Sequence, residues 1–559
     1  MKKFNKLDPI TVEIQWNRLI SIMDEVDIAL VRTSFSTIVG ETRDFAVIIL
    51  DKYGRSLAQS QLSSPAFTVH LPSTVKHLLE VFPAKDLEKG DVLITNDPWI
   101  GTGHLPDLCI IMPVFYNSKL AAFMACAAHM ADIGGRLDFF EARDLYEEGL
   151  RIPPSKLCIS GHENEQLFRI IETNVRVPGM VLGDIRAIIG AEKLGLKRLI
   201  DFLNDYEGIK HFNALVENIL NRSELAMRKA LLALPNGTWQ YELKADGFRE
   251  PLQIKTTVSK KGEKISVDFT GSSKQFENAS INCVPNCTFA DAFYPIKCSL
   301  TPDLPNNEGL FRALTVSAPE GSVFNTTFPS PVKSRSKTSF HINVAVYGAL
   351  AQAMPDRVQA GSGSFWAITL HGTHQDGSVF NVHILPNGGK GATDKMDGLP
   401  TIAFPYNGTV TPVEIIENQT PIIVGYKRLV TDSGGPGKYR GGLGQEIELR
   451  VIGDRPLVAS IRPDKVIYPP PGILGGEPGM SGSFDVDGKK VPVEPLSLQP
   501  GQIYHLKLPG GGGYGRTEKR ELKAILNDVL NGYVSQKAAR KNYGVEVDIK
   551  NFLVNRIKN

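Results

Sequence analysis

The sequence predicts an α+β protein of several units, with mixed sheets and a helical segment between them. Three patterns carry that reading. Between Asp44 and Gly149 short apolar runs alternate with turn clusters. From Glu163 to Leu234 apolar residues recur at helical spacing, and TWQYELKADGF and KISVDFTGSS alternate polar with apolar side chains. At 559 residues the chain is long enough for three or four domain-sized units, and the boundaries fall at 1–150, 151–236, 237–330, 331–515 and 516–559.

Taken in order, residues 8–36 read as a long amphipathic helix. Asp8 is a good N-cap, Pro9 suits the first turn, and Ile14, Leu19, Ile22, Met23, Val26 and Leu30 recur with near-helical spacing. Residues 44–149 form an α+β unit on which that helix packs. In the helical segment Pro178 starts one helix and Pro235-Asn236-Gly237 ends the last; Arg176, Asp184 and Arg186 flank the turn into the second helix, in capping or substrate-facing roles. Residues 238 to about 325 read as a half-exposed antiparallel sheet. SRSKTSFHINVAVYGALAQAM then reads as a helix after a basic loop, whose Lys333, Arg335 and Lys337 suit a solvated loop better than an anion site. From Glu518 to Asn559 a lysine-rich helical tail is expected to pack on the body.

The bulk properties narrow the partners. The chain is 42% hydrophobic and 22% charged, with net charge +2, so nothing draws it electrostatically toward nucleic acid or an anionic membrane. The start lacks an apolar signal core and no run of about 18 apolar residues occurs, which predicts a cytoplasmic address. Six cysteines in such a length make no disulfide scaffold. Cys109, Cys126 and Cys158 read as buried hydrophobes, and Cys283, Cys287 and Cys298 lack the fourth ligand of a zinc knuckle.

The chemistry concentrates between Asn96 and Gly135, in NDPWIGTGHLPDL and FMACAAHMADIGG. The proline in His104-Leu-Pro-Asp107 disfavours helix, so His104 and Asp107 share one turn. The apolar run from Lys119 to Ala128 suits a strand buried on both faces that delivers His129 at its end, while Asp44 stands at the mouth of another strand, Phe45 to Leu50. Two imidazoles and a carboxylate make the ligand set of a catalytic metal with open positions, and Asp44 is a fourth candidate. Cap and turn residues give the same composition, so both readings stand on spacing alone. His371, His374 and His383 form a second cluster, assigned to the substrate pocket or to structure. GGGGYG at 510–515 satisfies G-x-G-x-x-G but lacks a strand-to-helix context, and no G-x-x-x-x-G-K-[ST] occurs. The glycine-rich segments therefore read as scaffold turns or as a loop meeting a partner.

Six segments together resemble the B subunit of the hydantoinase and oxoprolinase family, which includes caprolactamase and the acetone and acetophenone carboxylases. They are ETRDFAV, NDPWIGTGHLPDL, AHMADIGG, VPGMVLGDIRA, TDSGGPGKYRGGLG and PGGGGYG, in the family's order. The resemblance implies a hydantoinase B-like fold and a divalent ion, zinc before manganese or iron, on Asp44, His104, Asp107 and His129. It also implies a separate A-type ATPase subunit that uses ATP-Mg to phosphorylate a hydantoin, lactam or oxoproline-type substrate, in a heterotetramer of two A and two B subunits. Proximity makes Glu41 and Asp132 the candidate acid/base or supporting residues. The alternatives are a subunit of an ATP-dependent ketone carboxylase and a non-catalytic scaffold with a structural metal.

Overall fold

The first helix, α1 (Pro9–Thr33), begins where the Asp8 carboxylate accepts from the Thr11 amide at 2.9 Å, with Pro9 in its first turn. The computed structural model describes residues 7–402 and 404–557. A short α2 (Thr37–Gly40) leads into β1 (Phe45–Asp51) and β2 (Ser56–Gln59). After α3 (Pro65–Val81) come β3 (Val92–Thr95), β4 (Asp107–Tyr116), β5 (Lys119–His129), β6 (Ser155–Ile159) and β7 (His162–Glu163). These strands make one antiparallel sheet in the order β2-β1-β5-β4-β3-β6-β7.

That sheet is buried on both faces, and the two-residue period of its strands sorts the side chains. Phe45, Val47 and Ile49 of β1 and Met124, Cys126 and Ala128 of β5 join the main core with Trp16, Leu19 and Met23 of α1. Ala46, Ile48, Ala125 and Ala127 face the other way, against Phe67, Leu71 and Val75 of α3. The small residues of β5 thus reflect crowding from two layers. Next come α4 (Glu165–Asn174), α5 (Pro178–Asp205) and α6 (Gly208–Leu232), with Pro178 in the first turn of α5 as its position predicts.

The next stretch is only partly strand. β8 (Gly237–Ala245), β9 (Leu252–Lys261) and β10 (Lys264–Asp268) are antiparallel, but α7 (Pro285–Leu300) and α8 (Glu308–Phe311) intervene before β11 (Leu314–Ser317), which runs parallel to β10. Helix α7 escapes sequence patterning because it carries Pro295 internally and is buried on most sides, so no apolar stripe marks it. The basic loop and α9 (Ser336–Leu350) follow.

The C-terminal half is a sandwich. It comprises β12 (Ala367–Thr373), β13 (Val379–Ile384), α10 (Val413–Gln419), β14 (Ile422–Leu429), β15 (Gln445–Val451) and β16 (Leu457–Arg462). It continues with β17 (Ser483–Val486), β18 (Lys489–Lys490), β19 (Leu496–Leu498) and β20 (Ile503–Lys507). Sheets β13-β12-β16-β19 and β14-β15-β20-β17-β18 enclose a second core around Trp366, Ile368, Leu449 and Tyr504. The tail is not wholly helical: α11 (Leu522–Leu530) and α12 (Gln536–Tyr543) are followed by a hairpin, β21 (Val545–Asp548) with β22 (Leu553–Arg556). Gly544, at φ +63°, ends α12, and the alternating VEVD that follows suits a strand.

The glycine-rich segments stack on one another instead of forming a nucleotide loop. Gly511 donates to the Gly442 carbonyl at 2.8 Å and its own carbonyl accepts from Gly435 at 2.8 Å, while Gly363 donates to Gly389 at 2.7 Å. Backbones approach so closely that a Cβ on Gly389 would lie 1.9 Å from the Gly442 carbonyl oxygen.

Candidate metal centre

Strand pairing gathers the candidate ligand set. Asp107, first residue of β4, is the register partner of His129, last residue of β5, and the His129 amide donates to the Asp44 carbonyl at 3.0 Å. His104 sits in the bend before β4. Its loop is held by Asn96, whose amide donates to the carbonyls of Leu105 and Leu150 at 2.8 and 2.9 Å and whose carbonyl accepts from the Ile152 amide. Gly103, at φ +100°, passes against Arg335, where a Cβ would come within 2.7 Å of that side chain.

Asp107 Oδ1 lies 2.7 Å from His104 Nε2 and 2.8 Å from His129 Nδ1. The ligand atoms of these three residues fall within 4.8 Å of one another, and Asp44 Oδ2 is 4.0 Å from His129 Nδ1. The other Asp107 oxygen accepts from Thr102 Oγ1 and, at 3.0 Å, from Arg335 Nη2. Burial pushes the Asp107 carboxyl upward, but His104, His129 and Arg335 outweigh it and hold it well below the usual range. Asp44 is raised to about 6 by burial, with His129 opposing and Asp107 reinforcing. Burial and then Arg335 lower His104 to about 4, so its ring is neutral at pH 7.

The donor set of this cluster asks for a cation. His104 Nδ1 lies 2.8 Å from the Lys333 carbonyl, which can only accept, so Nδ1 carries the proton. In the neutral ring Nε2 is then a bare lone pair facing an Asp107 carboxylate oxygen, and two acceptors meet at 2.7 Å. A divalent ion held by His104, Asp107 and His129, with Asp44 alongside, would satisfy both.

The other candidates divide. Asp132 lines the cavity but is held by Arg176, whose Nη1 donates to Oδ1 at 2.7 Å and whose amide donates to Oδ2. Glu41 follows α2, across a left-handed turn at Arg43 (φ +55°) from Asp44, and is not among the cavity-lining residues. Asp184 holds the turn before α2 by accepting from the Phe35 and Ser36 amides at 2.7 and 3.2 Å, and Arg186 pairs with Glu163. His383 lines the cavity, donating through Nε2 to the Ala131 carbonyl at 2.9 Å, with Thr369 on Nδ1; His371 and His374 lie outside the lining.

The basic loop is not solvated. Arg335 and Lys337 are 7% and 4% exposed; Lys337 donates to the Pro463 carbonyl at 2.7 Å, and Lys333 contacts the Arg136 carbonyl. Glu148 organises this loop by accepting from the Val332 and Lys333 amides at 2.9 Å, which sets the carbonyl that orients His104. Sequence reading also passes over His70, buried on α3 with neither ring nitrogen hydrogen-bonded and lowered to about 3 by burial, and over Tyr406 and Arg462. Of these only Arg462 leaves a signal: it is a lone charge closing the apolar run LVASI.

Together these residues line a cavity of about 120 Å³, partly open to solvent. One wall is the ligand hairpin and the loop after it. Facing it is the sheet of the second core, whose alternate residues Phe365, Ala367, Thr369, Asn381, His383 and Leu385 point into the cavity while Trp366, Ile368, Val382 and Ile384 point away.

His383 gives the centre a pH signature. Burial, with His129 adding to it, lowers it from 6.5 to about 4, so the folded state binds fewer protons than the unfolded one between those values. Its contribution is complete above about pH 6.5 and lost as pH falls through about 4. The stability advantage of wild type over His383→Gln is expected to shrink by about 3 kcal/mol across that window, at about 1.4 kcal/mol per pH unit, measured by denaturant titration.

Fold and centre together define an α+β enzyme-type scaffold with a two-histidine, aspartate-bearing pocket at the end of a β-hairpin. The chain belongs to the hydantoinase B/oxoprolinase family, whose model matches residues 8–517. It is 31% identical over 571 residues to the B-type subunit of a putative D-/L-hydantoinase from a Pseudomonas species, with 97% of this chain and 96% of that protein covered. It is 30% identical to the caprolactamase beta subunit of Pseudomonas jessenii, over 97% of both chains. Among solved structures, the ATP-dependent caprolactamase from Pseudomonas jessenii superposes with TM-score 0.90 at 28% identity over 97% of both chains. Acetone carboxylase shares the fold with TM-score 0.89 at 19% identity, over 98% of this chain and 81% of that one. No helix among the described residues is long and apolar enough to cross a membrane.

Proposed function

We propose that this chain is the metal-binding subunit of an ATP-dependent cyclic-amide hydrolase and acts with a separate ATPase subunit. The observation that carries the metal is the lone-pair conflict between His104 Nε2 and Asp107 Oδ1, 2.7 Å apart in a largely apolar cavity. Relatives named as subunits of a hydantoinase and of caprolactamase support the substrate class and the need for a partner. Phosphorylation of the amide oxygen on the ATPase subunit, with ATP-Mg, gives a poor electrophile a phosphate leaving group. Water then adds to the imidate carbon, the ring C–N bond breaks as the amine leaves with a proton, and a second water releases phosphate from the ring-opened acyl phosphate to give the carboxylate.

A divalent ion, zinc on the nitrogen and oxygen donors present, would supply Lewis acidity and lower the pKa of water toward neutrality. This chain's residues do the positioning. Asp107 would hold the ion through one oxygen while Arg335 and Thr102 fix the other, and the Lys333 carbonyl keeps the proton of His104 on Nδ1. Phe365, Leu385 and Tyr406 limit the water that reaches the ring. The likeness to acetone carboxylase, at 19% identity, supports only the fold, which leaves the hydrolase reading ahead of ketone carboxylation. A structural zinc site would be closed and richer in cysteine.

The test is co-purification with the ATPase subunit, metal analysis, and ATP turnover against a panel of hydantoins, lactams and 5-oxoproline. One transition-metal ion per chain and amide-dependent ATP hydrolysis that needs both subunits are expected. Metal-free active enzyme, or ATP turnover driven by bicarbonate with a ketone, would overturn the reading. Native mass measurement of the same complex tests the arrangement of two copies of each subunit.

A further inference from the structure

Across the cavity from the ligand hairpin stands a buried positive charge on which Asp464 and Asp44 act only at longer range. Arg462 ends β16 in register with Ala367. Strand alternation sends Ile461, Ala459 and Leu457 into the second core and turns Arg462 toward the cavity, where it is 3% exposed. Its guanidinium lies 4.8 Å from the centre of the Phe365 ring, and among the described residues no oxygen accepts a hydrogen bond from it and no carboxylate pairs with it.

The neighbours are already committed. Asp464, two residues on, is held by Lys465 at 2.7 Å, His341 at 3.2 Å and Lys337 at 3.6 Å. The other cavity-lining guanidinium groups have partners, Arg335 with Asp107, Arg176 with Asp132 and Arg136 with Glu147. A guanidinium carries five donors, and burying it without acceptors costs more than the stacking on Phe365 returns. Burial lowers Arg462 to about 10, which still leaves it charged at neutral pH. A buried unpaired cation aimed into a roomy cavity is explained by an anion that arrives with the ligand.

We infer that Arg462 is the cavity residue that binds an oxyanion of the ligand, a phosphoryl or carboxylate group, through a two-pronged guanidinium contact, so that the ligand bridges the hairpin and the opposite wall. The assignment rests on the function proposed above only for the identity of the ligand: there the oxyanion is the phosphoryl group carried on the amide oxygen. Charge and fork geometry suit such a group, and Phe365 keeps the guanidinium plane in place.

The test is calorimetric titration of the chelator-treated full-length chain with inorganic phosphate and, separately, with acetate, so that no bound ion competes for either. Saturable binding in the millimolar range is expected in wild type, weakened about 10- to 100-fold in Arg462→Met. Phosphate binding tighter than acetate assigns the phosphoryl group, and the reverse order assigns a carboxylate. A folded Arg462→Met that binds both anions as wild type does, or a wild type that binds neither, would overturn the inference. Should Arg462→Met not fold, Arg462→Gln is read the same way. Loss of amide-dependent turnover in the wild-type complex with anion binding intact would remove the hydrolase reading and leave this site standing. Turnover without Arg462-dependent anion binding would remove the site alone.

Discussion

Replacing Asp107 by alanine is expected to empty the centre of metal, to lower turnover of the complex by at least about a thousandfold, and to destabilise the chain by about 3–5 kcal/mol. The three effects share one cause. Asp107 is fully buried and touches His104 and His129 through one oxygen and Thr102 and Arg335 through the other, so its loss removes a proposed ligand and leaves the buried Arg335 guanidinium without the carboxylate it pairs with. Asp107→Asn separates the contributions, because an amide oxygen still accepts from Arg335 while the negative charge toward the ion is gone. The asparagine variant is expected to fold with a Tm near wild type yet to bind metal weakly, as read by metal analysis and thermal unfolding. An alanine variant that kept its ion would sink the ligand assignment.

The second large effect is expected at a residue outside the cavity lining. Gly389→Ala should prevent accumulation of soluble protein, or lower Tm by about 10 °C or more, although alanine adds a single methyl group. That methyl would lie 1.9 Å from the Gly442 carbonyl oxygen and 2.7 Å from the Gly511 nitrogen, and both are backbone atoms tied into the stacked layer. No rotamer change relieves such a contact, so the segments must separate and abandon their hydrogen bonds. As a control, Gly190→Ala, at a helical position with nothing within 4 Å of the added carbon, is expected to leave Tm unchanged or slightly raised. Soluble expression and thermal unfolding of the pair decide the point.

Sequence patterns are most informative where chemistry is local. The Asp8 cap, Pro178 at the start of α5, the apolar run of β5 and the turn through Pro106 each follow from neighbouring residues, and strand pairing then carries His104, Asp107 and His129 together. What escapes depends on contacts distant in the chain. Arg335 reads as a loop residue because its partner, Asp107, lies 228 residues away. Asp132 looks like an acid/base from its place beside the ligand strand, but Arg176, 44 residues on, occupies both of its oxygens. Helix α7 loses its stripe to burial on most sides, and the cavity's far wall comes from strands whose inward residues look like ordinary alternation until the partner surface is known.

The cavity draws its two walls from different cores, and this bears on how such a pocket can change over evolutionary time. The donor atoms belong to a hairpin cemented on both faces, where almost any exchange disturbs packing. Phe365, Ala367 and Leu385 belong to a sheet whose own stability resides on its reverse side. Drift can therefore resculpt the shape of the guest that fits without touching the chemistry that greets it, and descendants with unlike diets can inherit one reactive heart.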